Sequence, residues 1–110
     1  APYQARLYFI LDKDELTAES TLQEKRVFDE IMRREIAEIN IVRHTDTAAL
    51  FSYNDKLSQQ RADKIRQNLI DSGISPDIIK TRGAGEYELL IDTPDGVQEL
   101  ENRRVEIDVR

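Results

Sequence analysis

The 110-residue sequence contains no cysteine and no tryptophan, a single histidine, three prolines and four glycines. Without thiols there is no disulfide framework, no thiolate zinc site and no cysteine nucleophile. This absence does not fix the compartment, because exported proteins also do without cysteine. One histidine leaves zinc hydrolysis and histidine-centred catalysis very little to work with. No apolar run approaches the roughly 18 residues that a membrane-spanning helix requires. Positive charge is also in deficit: 22 acidic residues against 16 Lys and Arg give a formal charge of −6. A nucleic-acid binder needs a net basic surface and is excluded on this ground. An anionic ligand would have to be met by a few local arginines, not by the overall field.

What remains suits one domain with a core of its own, since a chain this long hides roughly two-thirds of its unfolded surface. Hydrophobic residues make up 39% and charged residues 35%, which is polar but not disordered in composition. The chain opens Ala1-Pro2-Tyr3-Gln4 and passes at once into alternating apolar residues. It therefore reads as a single domain, 1–110, cut from a longer protein.

Residues 3–11 are rich in aromatic and β-branched types and predict a first strand. Asp12–Glu15 is a polar turn, and Ser20-Thr21-Leu22-Gln23 has the capping-box form that opens a helix. The apolar stripe from there runs Leu22, Phe28, Ile31, Met32 and Ile39. Residues 39–44 predict a second strand, and a second helix follows from about Asn54 to Ser72, stopped by Gly73. Ser75-Pro76-Asp77 makes a turn before a third strand at 78–82. Residues 83–101 read as a long loop, of the kind that tends to be functional. Residues 102–110 form a last strand, with Val105, Ile107 and Val109 on one face and Arg104, Glu106 and Asp108 on the other. The order β-α-β-α-β-β predicts an α+β two-layer sandwich, with two helices on one face of a mixed four-stranded sheet.

The second helix carries an anomaly. With Leu57 at zero and about 100° per residue, Arg61 falls near 40°, Ile65 near 80°, Leu69 near 120° and Ala62 near 140°. Arg61 thus lies inside the apolar arc, where a guanidinium alone is costly. Either it snorkels to water at the edge of the arc, or it serves a ligand in a wet cleft. Its best candidate partner is Asp46, just past the end of the second strand, where loops of α/β sheets gather ligands. Asp46 has a plainer use as well, organising its loop by accepting backbone N–H bonds. On the last strand, alternation turns Arg103 inward with Val105 and leaves Arg104 outward and solvated.

His44-Thr45-Asp46, Tyr53-Asn54, Leu57-Ser58-x-x-Arg61-Ala62 and Asn102-Arg103-Arg104-Val105-Glu106-Ile107 together resemble the signature of the OmpA-like C-terminal domain. Leu7-Tyr8-Phe9, Ser72-Gly73-Ile74, Gly83-Ala84-Gly85-Glu86 and Thr93-Pro94-Asp95-Gly96 add to the likeness, in the right order along nearly the whole chain. The resemblance implies non-covalent binding of peptidoglycan through the diaminopimelate of its stem peptide, on the periplasmic side of the bacterial envelope. The parent protein would be membrane-associated through a missing segment and tethered to the wall by this domain. By similarity, Asp46 receives the ligand's ammonium and Arg61 its carboxylate, with the planar fork of a guanidinium suited to that task. Asn54, Thr45 and Thr47 would line the pocket with hydrogen bonds, Leu57 would form a wall, and Arg103 would close one side. No metal and no cofactor are implied, and a homodimer is compatible with the sequence.

The chain departs from the family pattern at Ile10, Arg43 and Ala49, where an Asp and two glycines are usual. These changes support an alternative, the same fold used as a protein-interaction or dimerisation module with a degenerate pocket. An enzyme is set aside. His44, Asp46 and Ser58 contain the residue types of a hydrolase triad, but triads are defined by geometry and nothing resembles a nucleophile elbow.

Overall fold

A computed structural model describes residues 2–44, 51–83 and 104–110, with side chains of the second helix described from Lys56 onward. Strand β1 covers Tyr3–Tyr8, helix α1 Ala18–Met32, strand β2 Ile39–Arg43 and helix α2 Phe51–Asp71. A 3₁₀ turn at Pro76–Ile78 leads into β3, Ile79–Gly83, and the last strand, β4, is Arg104–Val109. The predicted loop at 83–101 falls almost wholly outside the described residues.

The four strands form one sheet in the order β1-β4-β2-β3. β4 runs antiparallel to both β1 and β2, while β2 and β3 are parallel and joined through α2. One face is apolar. Ala5 and Leu7, Ile39 and Ile41, Ile79, and Val105, Ile107 and Val109 bury there against Val27 and Ile31 of α1 and Ala62, Ile65 and Leu69 of α2. Both helices therefore cover the same face, as the α+β sandwich requires.

The start of α1 differs from expectation. Thr17 is the N-cap, its hydroxyl accepting from the Ser20 N–H at 3.2 Å, so the helix begins at Ala18. Ser20 is inside the first turn and turned to another use: its hydroxyl accepts from the Tyr8 N–H at 2.8 Å, pinning the helix to the end of β1. The stripe shifts accordingly to Val27 and Ile31, with Phe28 half-buried. Leu22 and Met32 are 63% and 55% exposed. Each lies about 140° around the helix from Val27, on opposite sides, so neither shares its face. Ile39 belongs to β2, beyond the end of the helix.

The end of α2 is as expected. Gly73 has φ +103°, and the N–H groups of Gly73 and Ile74 donate to the carbonyls of Ile70 and Leu69 at 2.9 and 3.1 Å. This double closure satisfies the last carbonyls and folds Ile74 back toward the core.

Candidate functional site

Helical periodicity sets Leu57, Arg61 and Ile65 in one row on the buried side of α2, and all three are buried. Arg61 is 1% exposed, the largest fully buried side chain among the described residues. A guanidinium in that row must be solvated by the protein itself. Its Nε donates to the Lys13 carbonyl at 2.9 Å and its Nη2 to the Ile10 carbonyl at 3.2 Å. Its central carbon stands 5.2 Å from the centroid of the Phe9 ring. Charge-assisted hydrogen bonds of this kind are worth about 1.5–3 kcal/mol each, and a desolvated cation over a ring about 2 kcal/mol. Snorkelling to water, one of the two readings of Arg61, does not occur.

The two carbonyls are aimed by the turn that follows β1. The Thr17 N–H donates to the Tyr8 carbonyl, and the Ile10 N–H to the Glu15 carbonyl. Within that loop the Lys13 N–H closes on the Ile10 carbonyl at 3.1 Å. Asp12 adopts φ +58° to make the turn, a conformation that aspartate tolerates better than most residues. The Ile10 carbonyl thus accepts both from its own turn and from Arg61, 51 positions further along the chain.

At the same end of the sheet, the His44 N–H donates to the Arg104 carbonyl at 2.8 Å. The chain leaves β2 toward Thr45, Asp46 and Thr47, and enters β4 from Arg103, beside this bond. Those four candidate residues lie outside the described residues. Asn54 occupies the first turn of α2. Leu57 is buried one turn before Arg61, in the row expected of a wall. The structure therefore joins Leu57 and Arg61 on one helix face and brings the flanks of the Asp46 and Arg103 segments together.

Arg104 corrects an expectation. Alternation put it on the outward face, and there it is, but only 3% exposed. Its Nε donates to Glu106 Oε1 at 2.8 Å, two residues along the same face of β4. Arg6 Nε and His44 Nε2 stand 3.7 and 3.8 Å from that same oxygen. Glu106 is thus the shared counter-charge of a basic cluster on the face away from the helices.

Comparison with known proteins adds to this geometry. The model of the OmpA family matches residues 8–103. The chain belongs to the OmpA family. Outer membrane porin F of Pseudomonas fluorescens is 33% identical over 101 residues, which is 92% of this chain and 31% of that protein. The chain thus spans about a third of the length of this curated relative. Among solved structures, the OmpA-like domain of FopA1 from Francisella tularensis has a TM-score of 0.77 at 24% identity, over 98% of this chain and 71% of that one. The peptidoglycan-associated lipoprotein of Burkholderia pseudomallei has a TM-score of 0.72 at 21% identity, over 96% and 89%.

As an OmpA-family domain the chain is not an enzyme. Two features of its site carried no sequence signal. The acceptors of Arg61 are main-chain carbonyls, which any residue supplies. The burial of Arg104 depends on the cluster around Glu106, in which Arg6 and Glu106 meet across the β1–β4 pair from opposite ends of the chain.

Proposed function

We propose that this domain binds peptidoglycan non-covalently through the diaminopimelate of its stem peptide and so anchors its parent protein to the cell wall. It works on the periplasmic side of the envelope, where OmpA-like domains act. The diaminopimelate side chain ends in an amino-acid head, one ammonium and one carboxylate. Asp46 receives the ammonium, Arg61 the carboxylate. Asn54, Thr45 and Thr47 supply hydrogen bonds, Leu57 a wall, and Arg103 one side of the pocket. Two opposite charges answering one zwitterion select for a free amino-acid head over an amide or a simple amine.

The observation that supports this best is the buried guanidinium of Arg61, held in one orientation by the Lys13 and Ile10 carbonyls. A guanidinium offers five donors, so anchorage to the loop and grip on a carboxylate are compatible. Pre-set orientation also lowers the entropy lost on binding.

The test is calorimetric titration with a muropeptide carrying meso-diaminopimelate, run beside Asp46→Ala and Arg61→Ala. Loss of either charge leaves the other unpaired against the ligand, at a cost of about 2–5 kcal/mol. Saturable binding by the wild type, reduced in both variants, is expected. A folded wild type that binds nothing would leave Arg61 as a loop anchor alone and turn the assignment to an interaction module.

A further inference from the structure

Arg43 stands at the end of β2 on the face that packs against the helices, in register with Gly83 of β3 and Val105 of β4. Its guanidinium lies flat against Gly83: a Cβ placed there would come 2.8 Å from Nε and 2.9 Å from Nη2. No side chain at position 83 would leave the guanidinium where it is. Around it opens a cleft of about 230 Å³, between the carboxyl ends of the parallel strands β2 and β3 and the flank of α2. Thr81, Arg82, Gln59 and Asp63 line the rest of it. On α2, Gln59 stands about 160° around the helix from Arg61, so the cleft is distinct from the Arg61 contacts.

The chemistry of the lining defines a ligand. Two guanidiniums, a hydroxyl and an amide offer donors, in a chain whose formal charge is −6. Asp63 offsets one of the two positive charges, leaving a local excess of about one. That excess suits a single carboxylate, whose plane matches a guanidinium fork, and disfavours a dianion such as phosphate. The position fits a peptide that extends from the other flank of α2.

We infer that Arg43 and Arg82, in this cleft, bind a second carboxylate of the same wall peptide, one on its main chain and not on the diaminopimelate side chain. The inference rests on the peptidoglycan assignment and adds a determinant of which wall peptides are accepted. Amidation of that carboxylate removes the charge and half of the acceptors, so the amidated peptide binds more weakly.

The experiment compares three muropeptides by calorimetry: one with free carboxylates, one amidated at the glutamate α-carboxylate and one amidated at the peptide's C-terminal carboxylate. The wild type should prefer the free form over one of the two amides by about 3–5-fold, the range of an exposed charge pair. Which amide is penalised identifies the carboxylate. Arg43→Gln should bind all three alike, at the affinity of the penalised amide. Gly83→Ala should do the same with every charge retained, because its methyl displaces the guanidinium. Displacing the tip of a flexible side chain leaves the fold intact, to be checked by the melting temperature. Equal binding of all three peptides by the wild type would overturn the inference while leaving the wall-binding assignment standing. So would an unchanged preference in Arg43→Gln. Binding of none of them would remove both.

Discussion

Arg61 and Lys13 are 48 positions apart, yet the Arg61 Nε donates to the Lys13 carbonyl at 2.9 Å. With the bond to the Ile10 carbonyl, it fastens the turn after β1 to the middle of α2. The residue best suited to grip a ligand is thereby also part of the domain's own framework.

Replacing Arg61 should therefore cost stability even without ligand. Arg61→Met keeps an apolar stem of similar reach and removes both bonds to the loop. It should lower the unfolding free energy by about 1–3 kcal/mol in urea titrations. Amide exchange at Lys13, whose N–H bonds to the Ile10 carbonyl, should quicken beyond this global change. A stability equal to wild type would mean that the loop holds itself.

The start of α1 offers a sharper test of the capping assignment. Thr17→Ala removes the N-cap acceptor and should cost about 1 kcal/mol. Ser20→Ala should cost a similar amount, because it leaves the Tyr8 N–H without its acceptor. Thr21 donates its hydroxyl to the Thr17 carbonyl on an exposed surface, so Thr21→Ala should change the melting temperature least of the three.

Glu30 supplies a pH dependence. Hydrogen bonds from Arg34 first, and then from Arg33, hold its carboxyl below the usual carboxylate range, against a smaller opposing effect of burial. A carboxyl depressed in the folded state stabilises above its ordinary value, about pH 4.3, and loses that contribution as pH falls through the depressed one. The melting temperature of Glu30→Gln should thus lie below wild type at pH 7, and the two should converge in acid. Glu38, lowered chiefly by its bond with Lys80 and then by Asn40, follows the same sign.

Glu106→Gln removes the charge shared by Arg104, Arg6 and His44. Arg104 is buried beside it, so the loss should reach about 2–4 kcal/mol in denaturant unfolding. Arg6 is far more exposed, and Arg6→Gln should change stability by less than about 1 kcal/mol. Similar effects for the two would refute the ranking by burial.

Much of this framework is legible in the residues. Val105, Ile107 and Val109 alternate strictly, and nothing in the fold competes with that pattern. The odd angle of Arg61 on the α2 wheel singles it out from periodicity alone. What answers it is not legible, because the carbonyls of Ile10 and Lys13 carry no side-chain signature. Alternation gives the face of Arg104 correctly but not its burial, since solvation depends on neighbours in space. The start of α1 is ambiguous in the sequence because hydroxyls at both Thr17 and Ser20 fit a capping role. Only the contact with Tyr8, distant in the chain, decides between them.

The ladder between β1 and β4 has a mechanical consequence. Tyr3 pairs with Val109 at one end of the sheet and Tyr8 with Arg104 at the other, where the loop bonded to Arg61 begins. A pull between the Tyr3 end of β1 and a ligand held at Arg61 runs along the strands. The hydrogen bonds of an antiparallel pair lie across that direction. They would be loaded in shear, all six register positions sharing the force, and not peeled apart one after another. A domain strung this way between a tether and a wall resists tension with its whole sheet.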